Sequence, residues 1–415
     1  TVSKMSSKSA LNVGDFYIAE IGKIAHGGHF VTHVEGCVVF VRGAMTGERA
    51  KIRITHKRQK VYFGVAQEIL ESSEYRVNPS CAASAQCGGC DFQYVDYAHQ
   101  RALKTRVLKD SLERFAQLQA NQVEKIVGEG VIELHGDSGL GWRARARFEW
   151  NDEWQMHQNR SDMLVNTPLC TTVTSEIAQE LLRLRSTAGV VPGEYTFAQG
   201  SAGVSVVGPM GHISGPELVT REFSGVQWET DIQDFWQANG SLLPVVQQAI
   251  IDSGAARSGE DWWDLYGGAG VFSRVLSLEL GSAGRVTTVE GNRAASQRAR
   301  DRFAGVPDVD CAHVRVITSS VEAFIRNMRG SGSGVDGILL DPPRSGAGIS
   351  VCADVRALGP RSILYVACDP VALARDVREI CTDGAYELVS VRAWDAFPMT
   401  HHFESLAVLR STKVS

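Results

Sequence analysis

The sequence predicts an α/β protein: a doubly wound parallel sheet at the C-terminal end, preceded by a small β-barrel and a β-rich middle part. Three observations predict it. From about Asp231 onward, short apolar strands alternate with helix-patterned segments, which is the signature of a parallel sheet covered on both faces. Between Val13 and about Ile69, short alternating strands are broken by glycine, which argues for a small barrel. At 415 residues, 44% hydrophobic and 21% charged, the chain is long enough for roughly two or three domains with real cores. That composition excludes disorder, collagen and coiled coil as descriptions of the whole chain.

Residues 1–11 read as a polar tail. The barrel, at 12–72, is read in FYIAEIGKIA, GHFVTHV, GCVVFV, ERAKIRITHK and VYFGVAQEIL. Between Glu48 and Lys60 it carries Arg49, Lys51, Arg53, Lys57, Arg58 and Lys60. Such a strand face is either merely solvated or tracks nucleic-acid phosphates, as small five-stranded barrels do. The net charge of -5 excludes coating nucleic acid by bulk charge, so any basic surface is local. The N-terminal stretch has no apolar run to serve as a signal-peptide core. No stretch of about 18 uncharged apolar residues occurs. A cytoplasmic protein with no membrane partner is expected.

A reducing cytoplasm keeps cysteines as thiols, and nine of them are too sparse for a disulfide scaffold. A cluster of cysteines then points to metal binding or to chemistry. Cys81, Cys87 and Cys90 place three thiols within ten residues. A fourth ligand would come from Cys170 in NTPLC, from Cys37 or from His99. Spacing alone leaves zinc and an iron–sulfur cluster both open. Next, YVDYAHQRALKTRVLKDSLERFAQL has Leu103, Val107, Leu108, Leu112 and Phe115 at helical spacing, with a basic face of Arg101, Lys104, Arg106 and Lys109. The segment 73–230 is read as a middle domain. Within it, WRARARFEW sets Arg143, Arg145 and Arg147 on one face of a strand.

The last domain, 231–415, opens on the helical SLLPVVQQAIIDSG. WWDLYGGAGVFSRVL then orders a strand, a turn with Gly267, Gly268 and Gly270, and a helix. Glycines there let a ligand approach the backbone at the carboxyl end of the first strand. The following strand ends in Glu290, placed to accept hydrogen bonds from a ribose. The pattern fits a dinucleotide or S-adenosylmethionine (SAM). The spacing is not GxGxxG and Asp264 precedes the loop, and both favour SAM. GILLDPPRSG ends a strand at Asp341 and stiffens its exit with two prolines. Such a tip is either a rigid turn or a support for a planar target. SGSG at 331–334 reads as a flexible loop.

ILYVACDPVALARDV sets Cys368 at the next strand tip, just before a helix. A lone cysteine is more often a small buried hydrophobe. This one shares a sheet edge with the two loops above, and helix N-terminal amides are expected to favour its thiolate. DAFPMTHHFESLAVL brings Glu404 ahead of the last strand as a candidate base for Cys368. His401 and His402 beside it are read as structural hydrogen-bonders.

Together these motifs resemble those of the SAM-dependent RNA uracil-C5 methyltransferases, which make 5-methyluridine in rRNA and tRNA. The resemblance spans nearly the whole chain, through NPSCAASAQCGGCDFQY, FWQANGSLL, DLYGGAGVFS, VEGN, LLDPPRSG, YVACDP and FPMTHHFE in family order. It implies a Rossmann-like class I SAM methyltransferase domain behind an OB-like RNA-binding barrel of the TRAM type. It also implies that the helix at 94–120 packs with the methyltransferase domain. Carried across residue by residue, it makes Cys368 the nucleophile and Glu404 the base. Gln237, Tyr266, Glu290 and Asp341 would line the SAM site. Cys81, Cys87, Cys90 and Cys170 would hold a [4Fe–4S] cluster, with zinc as the alternative. The implied partner is RNA, 23S rRNA favoured over tRNA, and the implied state is a monomer.

Two positions depart from the family pattern. Asp369 stands where asparagine usually follows the cysteine, and its charge would raise the Cys368 pKa unless it is turned away or paired. Gly267 and Gly268 stand where many members have cysteine and glycine. Two rival functions stay open: a base-amine methyltransferase that uses the DPPR loop without a covalent step, and an RNA-binding assembly factor that binds SAM without turnover. A radical SAM enzyme is disfavoured because the CxxxCxxC triplet is absent.

Overall fold

The computed structural model describes residues 10–159, 161–305, 310–331 and 334–413. Most of the tail read at 1–11 and the centre of the SGSG segment lie outside the described residues. The N-terminal sheet comprises β1 (Phe16–Glu20), β2 (Ile24–Ala25), β3 (His29–Val34), β4 (Cys37–Arg42), β5 (Arg49–Arg58) and β6 (Val61–Glu71) in the order β1-β5-β6-β4-β3-β2. The two-residue period decides which side faces the core. On β5, Ala50, Ile52 and Ile54 are buried, while Arg49, Lys51 and Arg53 face solvent.

The expected closed barrel is corrected here. Among the described residues no strand ladder joins the edge strands β1 and β2. These edges are consecutive in the chain, and the crossing between them is irregular. It is tied to β3 by the Gly22 N–H to the Val31 carbonyl and the Val31 N–H to the Lys23 carbonyl, both 2.9 Å. A Cβ on Gly22 would lie 2.5 Å from the Val31 oxygen, so glycine is what lets the crossing lie this close.

Helix α1 (Tyr97–Phe115) is capped by Asp96, whose side chain accepts the His99 N–H. It joins two cores. Leu103 packs with Phe30, Met45 and Phe92 of the N-terminal unit, whereas Leu108 and Leu112 pack with Leu373 and Val377 of the C-terminal one. Lys104 lies between them, its Nζ 2.5 Å from Asp395 Oδ1, with the two side chains 1% and 0% exposed. Lys104→Met would leave the Asp395 carboxylate buried without a partner. A loss of about 3–5 kcal/mol is expected, read as a lower midpoint in denaturant unfolding; an unchanged midpoint would contradict it. Helix α2 (Ala120–Val127) and β7 (Val131–Ile132) follow, and β7 joins the C-terminal sheet.

The middle sheet is built from β8 (Arg145–Asn151), β9 (Glu153–His157), β10 (Leu164–Asn166), β11 (Gly193–Gly200), β12 (Gly203–Gly208) and β13 (Gly211–Ser214), with α3 (Ser175–Arg185) between β10 and β11. Its order is β10-β9-β8-β11-β12-β13. Trp154, Phe148, Tyr195 and Phe197 pack against Ile177 and Leu181 of α3. A hairpin of β14 (Val219–Phe223) and β15 (Val226–Thr230) leads to α4 (Leu242–Asp252).

The C-terminal sheet alternates β16 (Asp261–Leu265), α5 (Val271–Leu280), β17 (Arg285–Glu290), α6 (Arg293–Ala304), β18 (His313–Thr318), α7 (Val321–Ser331), β19 (Gly337–Leu340), α8 (Ile349–Leu358), β20 (Ser362–Ala367) and α9 (Pro370–Ile380), then closes with β21 (Tyr386–Trp394) and β22 (Glu404–Ser411). Its order is β18-β17-β16-β19-β20-β22-β21-β7, and β16 to β20 run parallel. Every residue of β19 and β20 is buried, as a sheet covered on both faces requires. The order reverses between β16 and β19. At such a switch point the loops leaving the carboxyl ends diverge and open a crevice. No helix among the described residues is long and apolar enough to cross a membrane.

Candidate active site

The crevice is bounded first by the glycine loop. Tyr266, directly after β16, adopts a positive φ of 63°, and Gly270, with φ 88°, caps α5. A Cβ on Gly267 would come 2.4 Å from the Thr288 methyl carbon. The β-branched residue on β17 occupies the space that a side chain at 267 would need, which accounts for this departure from the family pattern.

Three carboxylates crowd the loop. Asp264 is fully buried and accepts the Ser273 hydroxyl at 2.5 Å, while its Oδ1 has no partner. Burial, with Glu290 adding to it, pushes Asp264 up to about 7. Glu290 accepts the backbone N–H of Gly268 at 2.9 Å and of Asn292 at 2.6 Å. Asp341 follows β19 and is likewise pushed up to about 7, by burial and then by Asp264. Excess buried negative charge of this kind suits a cationic ligand. SAM, with its sulfonium and ammonium, fits the group.

The DPPR loop is rigid for a visible reason. The Asp376 carboxylate accepts the Ala347 N–H at 2.7 Å, the Gly348 N–H at 3.3 Å and the Tyr365 hydroxyl at 2.5 Å. Arg344 projects from this loop, exposed, and its charge acts on both Cys368 and Glu404. The sequence reading missed Arg344 as a separate site residue; its place between DPP and the turn was the available signal.

Strand register brings Cys368 and Glu404 together. Ala367 of β20 is paired with Ser405 of β22, so the next rung outward carries Cys368 opposite Glu404. Glu404 is 3% exposed. Burial, reinforced by Asp341 and opposed by Arg344, holds its pKa well above the ordinary carboxylate value. The expected help to the Cys368 thiolate from helix amides is corrected here. Burial first, then Glu404, Asp341 and Asp369, push the thiol up to about 12, with Arg344 opposing. The amides are already taken: the Asp369 side chain accepts the Val371 and Ala372 N–H groups at 3.0 and 2.8 Å.

Asp369 is also paired. Its Oδ2 lies 2.8 Å from His26 Nε2, at the turn between β2 and β3. Burial opposes its ionisation most strongly. The bonds from His26, Ala372 and Val371 outweigh that and hold the carboxyl below its usual value. Asp369→Asn retains a capping oxygen and removes the charge. Alkylation of Cys368 at fixed pH is then expected to run about two- to fivefold faster, because a lower thiol pKa leaves more thiolate. An unchanged or slower rate would contradict that.

A crevice of about 10 Å3 beside Cys368 is lined by His26, Gly28, Phe92, Lys104, His401 and His402. His401 Nδ1 lies 2.5 Å from Asp91, which also pairs with Arg42. Burial, then neighbouring cations, push His401 down to about 3; burial, then His401, push His402 down to about 2. Asp91 and Phe92 both donate backbone N–H groups to the Met399 carbonyl. The segment just after Cys90 thus clamps the loop that leads into Glu404.

Cys81, Cys87 and Cys170 are buried and Cys90 is half-buried. Electrostatically, Cys87 feels Cys81 and Cys170, Cys90 feels Cys87 and Cys170, and Cys81 feels Cys170. Burial is the main cause raising the thiols at 81, 87 and 90, the last to about 11. The Gly89 N–H points to Cys87 Sγ at 3.4 Å, and Gln93 Nε2 to Cys90 Sγ at 3.5 Å. Four thiols, two of them with N–H donors aimed at their sulfurs, form a donor set suited to zinc or an iron–sulfur cluster. Among the described residues, no three His, Cys, Asp or Glu side chains are already gathered as a metal-holding group. Gln237 stands on another wall. It lines a cleft of about 470 Å3 between the middle sheet and α4, and Asn239 beside it donates to the Ala396 carbonyl at 2.8 Å.

Comparison with known proteins adds to this geometry. The tRNA (Uracil-5-)-methyltransferase family model matches residues 225–412. A Streptomyces avermitilis protein named uncharacterized RNA methyltransferase is 31% identical over 96% of this chain and 98% of its own length. A Streptomyces coelicolor protein of the same description is 30% identical over 98% of this chain and 95% of its own length. The crystal structure of the Pyrococcus abyssi tRNA (uracil-54, C5)-methyltransferase in complex with S-adenosyl-L-homocysteine is similar in fold. Its TM-score is 0.67, its identity 20%, and the match covers 94% of this chain and 99% of that one.

Proposed function

The chain belongs to the tRNA (uracil-5-)-methyltransferase family and is a SAM-dependent RNA methyltransferase, and from that premise we propose that it methylates carbon 5 of a uridine through a transient covalent bond from Cys368. The observation that carries the proposal is the β20–β22 register, which sets Cys368 opposite Glu404 at the carboxyl edge of the sheet.

Uracil carbon 5 is a weak nucleophile, and covalent catalysis removes that obstacle. The Cys368 thiolate adds to carbon 6 and makes an enolate, in which carbon 5 is nucleophilic. Carbon 5 takes the methyl group as the methyl carbon–sulfur bond of the sulfonium breaks, its electron pair leaving with the thioether, S-adenosylhomocysteine. Glu404 then removes the carbon 5 proton, and elimination across carbons 5 and 6 frees Cys368. Arg344 supports the anionic stage, since its charge opposes the raised pKa of both residues. SAM supplies an electrophilic methyl. Tyr266, Glu290 and Asp341, with Gln237 from the loop before α4, are proposed to hold it. The target base must leave its stack to reach Cys368, so single-stranded or flipped uridines are the expected substrates.

Cys81, Cys87, Cys90 and Cys170 are proposed to hold a [4Fe–4S] cluster, zinc being the alternative. No step above needs an electron, and the Asp91–His401 clamp gives the cluster a structural role beside Glu404. The segment 12–72 is proposed as a TRAM-type RNA-binding unit, 73–230 as the middle domain and 231–415 as the methyltransferase domain, in a cytoplasmic monomer. The cysteine stretch favours 23S rRNA as substrate, by resemblance to cluster-bearing members. The name of the matching family keeps tRNA in the test. Labelled SAM is incubated with separated, unmodified rRNA and tRNA, and the product nucleoside is identified. 5-Methyluridine in one RNA class supports the reading. A methylated base amine would replace it with the amine-methylating rival.

A further inference from the structure

We propose that the cleft between the middle sheet and α4 is a second RNA subsite, in which Arg221 takes a phosphodiester next to the nucleotide that enters the active site. The proposal rests on the uridine-methylating reading only for which nucleotide lies next door. The cleft, about 470 Å3, is bordered by Trp142, Thr174, Arg221, Trp236 and Gln237. It is large enough for a nucleotide and opens beside the loop that carries Gln237.

Three polar groups in its lining have needs that the protein does not meet. Arg221 gives one hydrogen bond, to Thr230 Oγ1 at 3.1 Å, and its guanidinium lies 5.1 Å from the centre of the Trp236 ring. Among the described residues no carboxylate is paired with it. Instead burial, and then the neighbouring cation Arg145, push it down to about 10. A half-buried guanidinium with a like charge for a neighbour is stabilised by an anion, and a phosphodiester matches its fork of donors. The other two are orphans. Trp142 is 4% exposed and its indole N–H has no acceptor, and the buried Thr174 hydroxyl has no partner. Buried donors are seldom left so, and a ribose or a base edge supplies acceptors. The one acidic residue in the lining, Glu222, is exposed next to Arg221. Alternation along β14 points it away from the Arg221 side.

The test compares Arg221→Gln, Arg221→Lys and Trp142→Phe with wild type in RNA binding, methyl-transfer kinetics and SAM affinity. Arg221→Gln is expected to raise KM for RNA about tenfold and to lower the slope of log affinity against log salt by about one. Arg221→Lys restores the slope. Trp142→Phe, which keeps an aromatic side chain but removes the indole N–H, raises KM about threefold. SAM affinity stays at the wild-type value, and an unchanged far-UV circular dichroism spectrum and melting midpoint report that each variant is folded. An unchanged salt slope in Arg221→Gln overturns the proposal. Loss of SAM affinity in a folded variant overturns it too, by giving the cleft to the cofactor. Wild type that binds RNA yet leaves uridine carbon 5 unmethylated would remove the reaction reading alone, and the salt slope would still decide the cleft.

Discussion

Cys368→Ala is expected to lower methyl transfer by about 10^4-fold or more, the scale seen when a covalent nucleophile is removed. SAM binding should persist, because the Cys368 side chain has no part in the glycine loop or in the carboxylates around it. The pH profile belongs to the same expectation. The free thiol is pushed up to about 12, chiefly by burial, so little thiolate exists near neutrality. Below that value, the thiolate fraction grows about tenfold per pH unit. The kcat/KM of the wild type is therefore expected to rise with pH across the neutral range. A sulfonium bound beside Asp341 adds positive charge and lowers the thiol pKa, so alkylation of Cys368 should speed up when SAM is present. A Cys368→Ala enzyme that still methylates uridine would end the covalent account.

Glu404→Gln is expected to stop the reaction later, after the methyl has moved. With no base for the carbon 5 proton, elimination stalls and the enzyme remains bonded to methylated RNA. Turnover should fall by about 10^2- to 10^4-fold, and a denaturation-resistant protein–RNA species should accumulate in gels. Glu404→Gln combined with Cys368→Ala should form none. The carboxyl must be ionised to act, and burial holds its pKa above the ordinary value. Its activity as a base is thus lost as pH falls, in the same direction as the thiol. Loss of turnover without any trapped species would show that Glu404 acts before bond formation or only supports the fold.

Much of this was legible in the sequence. The alternation of apolar strands and helices after Asp231 predicts the parallel sheet, because strands buried on both faces are apolar throughout. The glycine loop, Asp341, Cys368 and Glu404 are readable because each sits at a strand tip marked by a breaker or a charge. What is not legible comes from long-range pairing. That Asp369 meets His26, far away in the chain, is set by how the turn between β2 and β3 reaches the start of α9, and no local pattern carries it. The same holds for β7, two residues that join the far edge of the C-terminal sheet. The barrel reading failed at Ile21–Lys23, where periodicity shows the strands but not the irregular crossing between them. The reading of the Cys368 thiol failed first because burial raises it, and then because a capping aspartate takes the amides before the sulfur can.

The central claim is that carbon 5 of a uridine is the acceptor and is activated by Cys368. The most direct measurement is release of tritium from RNA labelled at uridine carbon 5, followed alongside methyl incorporation from SAM. The account predicts one tritium released per methyl gained with wild type, and neither with Cys368→Ala. Methyl incorporation without tritium release would contradict it, since the hydrogen at carbon 5 would then have survived the reaction.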